Sequence, residues 1–212
     1  VITGKTVKLL LASQLQYNVI YTASVSGAYD CAGNAIGTGN TAVFVLPEQG
    51  LAGDLIINEM LFNPRGSGAD FVEVYNLSTK NIDLNGWQLA NLDYDTLANF
   101  KTIATGSRVI FPGFYIVLTT DAANIKQEYP MSHEETFIQM TSLPSYSNDD
   151  GTVILVNNLL AVSDSITYSS GMQFALLNDV EGVSLERMDF NRPAGDKTNW
   201  HSAAEAVGFA TP

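Results

Sequence analysis

The sequence is poor in cysteine, in charge and in long apolar runs. Cys31 is the single cysteine, so no internal disulfide can brace the fold and a disulfide-stapled scaffold is excluded. A core that does without bridges suits the cytosol and equally many exported proteins. No apolar stretch approaches the roughly 18 residues that a membrane span requires. Bases are scarce: 10 Lys and Arg against 22 Asp and Glu give a formal charge of −12. Nucleic acid, whose phosphates demand a basic face, is a poor partner for such a chain. Charged residues make up 15% of the whole, against roughly 25% in ordinary soluble proteins.

The polarity comes instead from 17 Asn, 17 Thr and 16 Ser, accompanied by 17 Gly and 7 Pro. That mixture suits strands and turns better than helices. An apolar content of 46% excludes wholesale disorder. At 212 residues, length alone is compatible with one or two domains.

Charge divides the chain. Residues 1–49 carry Lys5, Lys8, Asp30 and Glu48 and are neutral in sum; the rest carries eight bases and twenty acids. The break falls on Pro47-Glu48-Gln49-Gly50-Leu51-Ala52-Gly53, a connector of the kind that separates domains. The expected units are 1–47 and 53–212. The chain opens at Val1 with neither an initiator methionine nor a signal-peptide pattern. It reads as an excised piece of a longer protein, so missing targeting signals carry no weight.

In the first part Thr6–Ala12, Tyr17–Ser26 and Thr41–Leu46 read as strands. Asp30-Cys31-Ala32-Gly33-Asn34 between them is a turn cluster. So few strands cannot enclose a sandwich core, which takes about 100 residues, and the expectation is that half a domain lies on the N-terminal side. Unpaired edges and an uncovered apolar face from Leu9, Leu11, Val19 and Tyr21 predict self-association. Tyr17-x-Val19, then Gly27-x-x-Asp30-x-Ala32-Gly33-Asn34 and the Phe44 strand resemble the end of a bacterial Ig-like repeat. Such repeats serve as spacers or binding modules on surface proteins.

The second part carries about eight short strands bounded by turn residues, the count of a sandwich or barrel. In Phe71-Val72-Glu73-Val74-Tyr75 the faces alternate, with Val72 and Val74 on one side. Ala122–Tyr129 is the exception, a short helix that Asp121 caps and Pro130 ends. Ile57-Asn58-Glu59, Phe71-Val72-Glu73-x-x-Asn76 and Leu84-x-Gly86-Trp87 occur in that order, followed by Phe111-Pro112-Gly113-Phe114. Together with Gly182-x-Ser184-Leu185-Glu186-Arg187 and Trp200, they resemble the bacterial form of the lamin tail domain. That resemblance spans residues 53–212 and implies an Ig-like β-sandwich. The segment Asn124–Ser147 exceeds the plain core of that family.

Candidate chemistry is sparse. A thiol or serine centre fails for want of a nucleophile motif, and Cys31 lies in a different part from His133 and His201. Gly4-Lys5-Thr6 is only the tail of a phosphate-binding loop. His133-Glu134-Glu135 lacks the spacing of a zinc site. Asp93, Asp95, Asp149 and Asp150 are oxygen ligands of the kind calcium prefers, although Asp and Asn in such places are turn formers anyway. Glu59 and Glu73 are the one carboxylate pair on strands, fit for acid–base work or, more simply, for a structural role. Trp87 reads as a core plug. Trp200, Tyr146 and Tyr168 are the candidate ligand-facing aromatics.

The expectation is therefore an all-β, Ig-like sandwich with one short helix, preceded by a partial Ig-like β segment. Its expected function is that of a non-catalytic interaction or scaffold module of a larger extracellular, cell-surface or periplasmic protein, with a protein or carbohydrate ligand and no cofactor. The alternatives are a carbohydrate-binding accessory domain of a secreted hydrolase and, behind it, a metal-dependent hydrolase.

Overall fold

A computed structural model describes residues 2–3, 6–133 and 136–212. The chain divides into two compact units, Val1–Glu48 and Gln49–Pro212.

In the first unit β1 (Ile2–Thr3) pairs with β2 (Thr6–Val7), and β3 (Tyr21–Ser24) pairs with β4 (Thr41–Phe44) in register Tyr21↔Phe44. The Asp30 carboxylate accepts the N–H groups of Ala32 and Asn34 and the Asn34 side chain, and Gly33 supplies the positive φ that closes this turn. Those hydrogen bonds, the Asn34 side chain first, hold the Asp30 carboxyl below its usual range. The strands are shorter than the sequence suggests. Residues 9–12 form none, having no partner strand among the described residues of this unit, and Leu9, Leu10 and Leu11 are exposed. None of residues 8–48 is buried.

The second unit is an all-β, Ig-like sandwich with one short helix. Its elements are β5 (Leu55–Leu61), β6 (Phe71–Asn76), β7 (Ile82–Asp83), β8 (Gln88–Asp93), β9 (Thr96–Thr102), β10 (Val109–Ile110), β11 (Tyr115–Thr119), α1 (Ala122–Glu128), β12 (Phe137–Gln139), β13 (Asp150–Val156), β14 (Val162–Ser169), β15 (Leu185–Arg187) and β16 (Trp200–Ser202). Six strands form one sheet in the order β12-β11-β6-β5-β15-β16, and four form the other in the order β14-β13-β8-β9; β10 and β7 make a separate pair. All neighbours are antiparallel except β11 and β12.

Alternation decides what lies between the sheets. Val72 and Val74 point inward with Leu55, Ile57, Trp87, Leu89, Val153, Leu155 and Ile166. Phe71 points outward, into a second apolar cluster with Leu61, Val117, Ile125, Tyr129 and Ala210. That cluster is why the helix exists: Asp121 accepts the N–H of Asn124 at its start, and Ile125 is its buried side chain. Tyr129 beyond its end donates its hydroxyl hydrogen to the Gly182 carbonyl. Trp87 is fully enclosed, and Gly50 is there because a Cβ would stand 2.4 Å from the Trp87 ring.

One buried cation ties the two sheets together. Arg187 on β15 donates to Asp164 on β14 at 2.8 Å and to the carbonyls of Ile57 and Arg192. The Ile57 N–H donates to the same Asp164 carboxylate.

Candidate functional site

The signature segments meet at a β-bulge. Register runs Ile57↔Val74 and then Glu59↔Glu73, so Asn58 has no opposite residue. Its amide donates to Glu73 Oε1 at 2.6 Å. On the far side of β5, Glu186 lies opposite Glu59, and His201 of β16 lies opposite Glu186. Four strands therefore carry Glu73, Glu59, Glu186 and His201 in one row across the outer face of the six-stranded sheet.

The row is sealed. Glu59 is 1% exposed and Glu73 5%. Glu59 accepts the Ser184 hydroxyl at 2.6 Å, the Thr211 N–H at 3.0 Å and the Thr211 hydroxyl at 3.3 Å. Burial raises the Glu59 carboxyl to about 7, against the pull of those donors. Burial, and then the charge of Glu59, raise Glu73 to about 8. His201 Nε2 stands 3.5 Å from Glu186 Oε2 at the rim. With both carboxyls raised, Glu59 and Glu73 can take up or release a proton near neutral pH, but neither is among the residues that line the main concavities of this unit.

Asn76, the third signature polar residue, is fully buried. Its amide donates to the Lys80 and Ile110 carbonyls, and its oxygen accepts the N–H and hydroxyl of Ser78. It builds the turn after β6.

The candidate ligand-facing aromatics lie inside. Trp200 is in the core and donates to the Ala194 carbonyl at 2.8 Å. Tyr168 packs on Phe62 at 4.3 Å between ring centroids, over Gly151, and donates to the Ser147 carbonyl. Tyr146 is buried beside them, its hydroxyl without a hydrogen-bond partner among the described residues. Acidic and serine-rich neighbours suggest exposure for these two tyrosines, but both rings fill the end of the sandwich. Asp93 and Asp95 belong to the β8–β9 hairpin, whose two loop residues Tyr94 and Asp95 both have positive φ, the primed turn that short hairpins need. Asp149 and Asp150 are exposed at the start of β13. Among the described residues no group of three or more His, Cys, Asp or Glu is arranged to hold a metal ion. Gly4, Lys5, Glu134 and Glu135 lie outside the described residues.

Three concavities stand out on this unit. The largest, about 570 Å³, is lined by Arg108–Phe111, Gly113–Ile116, His133 and Thr136. A second, about 380 Å³, lies between residues 102–105 and Phe137–Thr141 and also counts Arg108 among its walls. A third, about 300 Å³, holds Asp70 and Tyr146; burial alone raises the Asp70 carboxyl to about 7. Nothing in the sequence marks the first two, since their walls come from four separate segments. The one available cue was the connector Phe111-Pro112-Gly113-Phe114, whose two rings meet edge-on at 6.0 Å.

Compared with known proteins, residues 48–170 match the model of the lamin tail domain family, more than half of the chain. The match ends before β15 and β16. No curated protein matches the chain.

Proposed function

The chain belongs to the lamin tail domain family, and from that premise we propose that it is a non-catalytic interaction module of a larger exported or cell-surface bacterial protein. In this reading the first unit is the closing part of an Ig-like repeat that spaces the sandwich from its neighbours. The observation that supports it is the sealing of the signature carboxylates. Glu59 is buried with both oxygens hydrogen-bonded, Glu73 is buried with one oxygen held by Asn58, and neither lines a concavity, so a substrate has no route to the one acid–base pair on the strands. What remains open to a ligand is the three concavities, and the two larger of them share Arg108.

Two assays on the full chain test the reading. Chromogenic ester, phosphoester and glycoside substrates, with and without millimolar calcium or zinc, should give no turnover above buffer. Immobilised chain probed with peptide and glycan arrays should retain members of one class at micromolar concentration. Turnover that Glu73→Gln abolishes, or retention of nothing on either array, would overturn the proposal.

A further inference from the structure

The two concavities that share Arg108 run along one open side of the sandwich. β12 is the edge of the six-stranded sheet and β9 the edge of the four-stranded one. The smaller hollow lies between them, with Phe137–Gln139 on one wall and Thr102 on the other. The larger continues past Arg108 along β11. There, among the described residues, Tyr115 and Ile116 pair with β6 and with no strand on the other side, because β12 begins opposite Val117.

Backbone groups are left open on this side. The Asn76 N–H donates to the Phe114 carbonyl, and Ile116 lies opposite Val74 two residues on. Antiparallel pairs alternate between bonded and non-bonded, so the N–H and C=O of Tyr115 turn away from β6 and into the groove. Free strand edges are usually blunted by Lys, Pro or an inward charge; β12, Phe-Ile-Gln, carries none of these.

Charge adds direction. Of the four arginines, Arg65 lies over the Phe209 ring, Arg187 pairs with Asp164 and Arg192 with Asp196. The Arg108 guanidinium is exposed and has no ion pair or ring partner among the described residues, although the Arg108 backbone N–H donates to the Asp83 carboxylate at 2.9 Å. No carboxylate is among the described residues that line either hollow, although acids outnumber bases 22 to 10 in the chain. Beside it Phe114, 60% exposed, offers an apolar anchor.

Resting on the interaction-module reading, we propose that this groove takes an extended, acid-bearing segment of a partner protein. The segment adds a short strand along β11 beyond the start of β12, bonds to the Tyr115 backbone, and sets an Asp or Glu side chain against Arg108.

A library of random twelve-residue peptides displayed on phage, panned on the full chain, tests this. Recovered peptides should share an Asp or Glu flanked by β-branched residues at alternate positions. A synthetic copy of the best should bind at least tenfold more weakly to Arg108→Glu and Arg108→Gln. Lys101→Glu, the control charge change outside both hollows, should leave its Kd within twofold. Exchange of the Tyr115 amide should slow in the complex. Recovered peptides indifferent to Arg108, or a Tyr115 amide that stays unprotected, overturn the inference. So does failure to recover peptides while glycans are retained, a result that leaves the interaction-module reading standing. Binding by a second copy of the chain would appear as concentration-dependent mass in light scattering that Arg108→Glu abolishes, and it too would overturn a partner-protein ligand.

Discussion

Replacing Glu73 by glutamine should stabilise the protein in alkaline buffer and change little in acid. The Glu73 carboxyl rises from 4.5 to about 8 because burial and the facing Glu59 oppose its charge. A group raised in the folded state favours folding while protonated. Its contribution is complete below about pH 4.5 and is lost as pH climbs through 7 to 8. Carried through, a rise of that size corresponds to about 4–5 kcal/mol at most. Glu59, raised to about 7, loses its own contribution over the same window. Glutamine keeps an oxygen to accept the Asn58 amide and turns its new N–H toward the Glu59 side of the ladder. It removes one charge and relieves the other. About 2–4 kcal/mol should therefore be recovered at pH 9, or roughly 5–15 °C in Tm for a domain of this size. Urea and thermal melts of wild type, Glu73→Gln and Glu59→Gln at pH 4, 6, 8 and 9 would measure it. Taking the difference between variant and wild type removes the general repulsion of a −12 chain. A difference that does not change with pH, or a Glu73→Gln that destabilises most at pH 9, would refute the reasoning.

Gly50→Ala should cost about 1–3 kcal/mol, because the added carbon would stand 2.4 Å from the enclosed Trp87 ring; a unit as stable as wild type in urea would show that the indole has room to move. Asp164→Ala should cost about 3–5 kcal/mol by leaving the Arg187 guanidinium buried and unpaired. The pair Asp164→Asn with Arg187→Met should recover much of that loss, and a double variant as unstable as the single one would point away from charge burial.

Much of the sandwich was legible where a strand buries one face. Phe71 to Tyr75 alternates in sequence and in space: Val72 and Val74 enter the core, Phe71 goes under the helix, and Glu73 joins the carboxylate row. The helix was legible from its cap, its stop and Ile125. Strand β9 was not, because Thr96–Thr102 is an outer hairpin arm with mostly exposed residues and no periodic apolar signal. Trp200, Tyr146 and Tyr168 misled because local polarity says little about rings that reach back into a core. Glu59 and Glu73 were legible as a pair, while the third glutamate in their row depends on the pairing of β5 with β15. The Arg108 groove was illegible because strand edges from both sheets form it, and the strand order that makes β12 and β9 edges is set by the topology.

The pairing of β5 with β15 also governs when the sheet can be finished. β5 lies at the sheet's interior, yet one of its neighbours arrives very late: Glu59 and Ser184 are 125 residues apart. At a synthesis rate of about 5–20 residues per second, β5 waits roughly 6–25 s on the ribosome with that edge open. The β5–β6 hairpin and β11 can assemble early from local contacts, whereas closing so long a loop is entropically slow. A nascent chain is thus most exposed to wrong strand partners just before Leu185 emerges, and its buried glutamates stay in water until then.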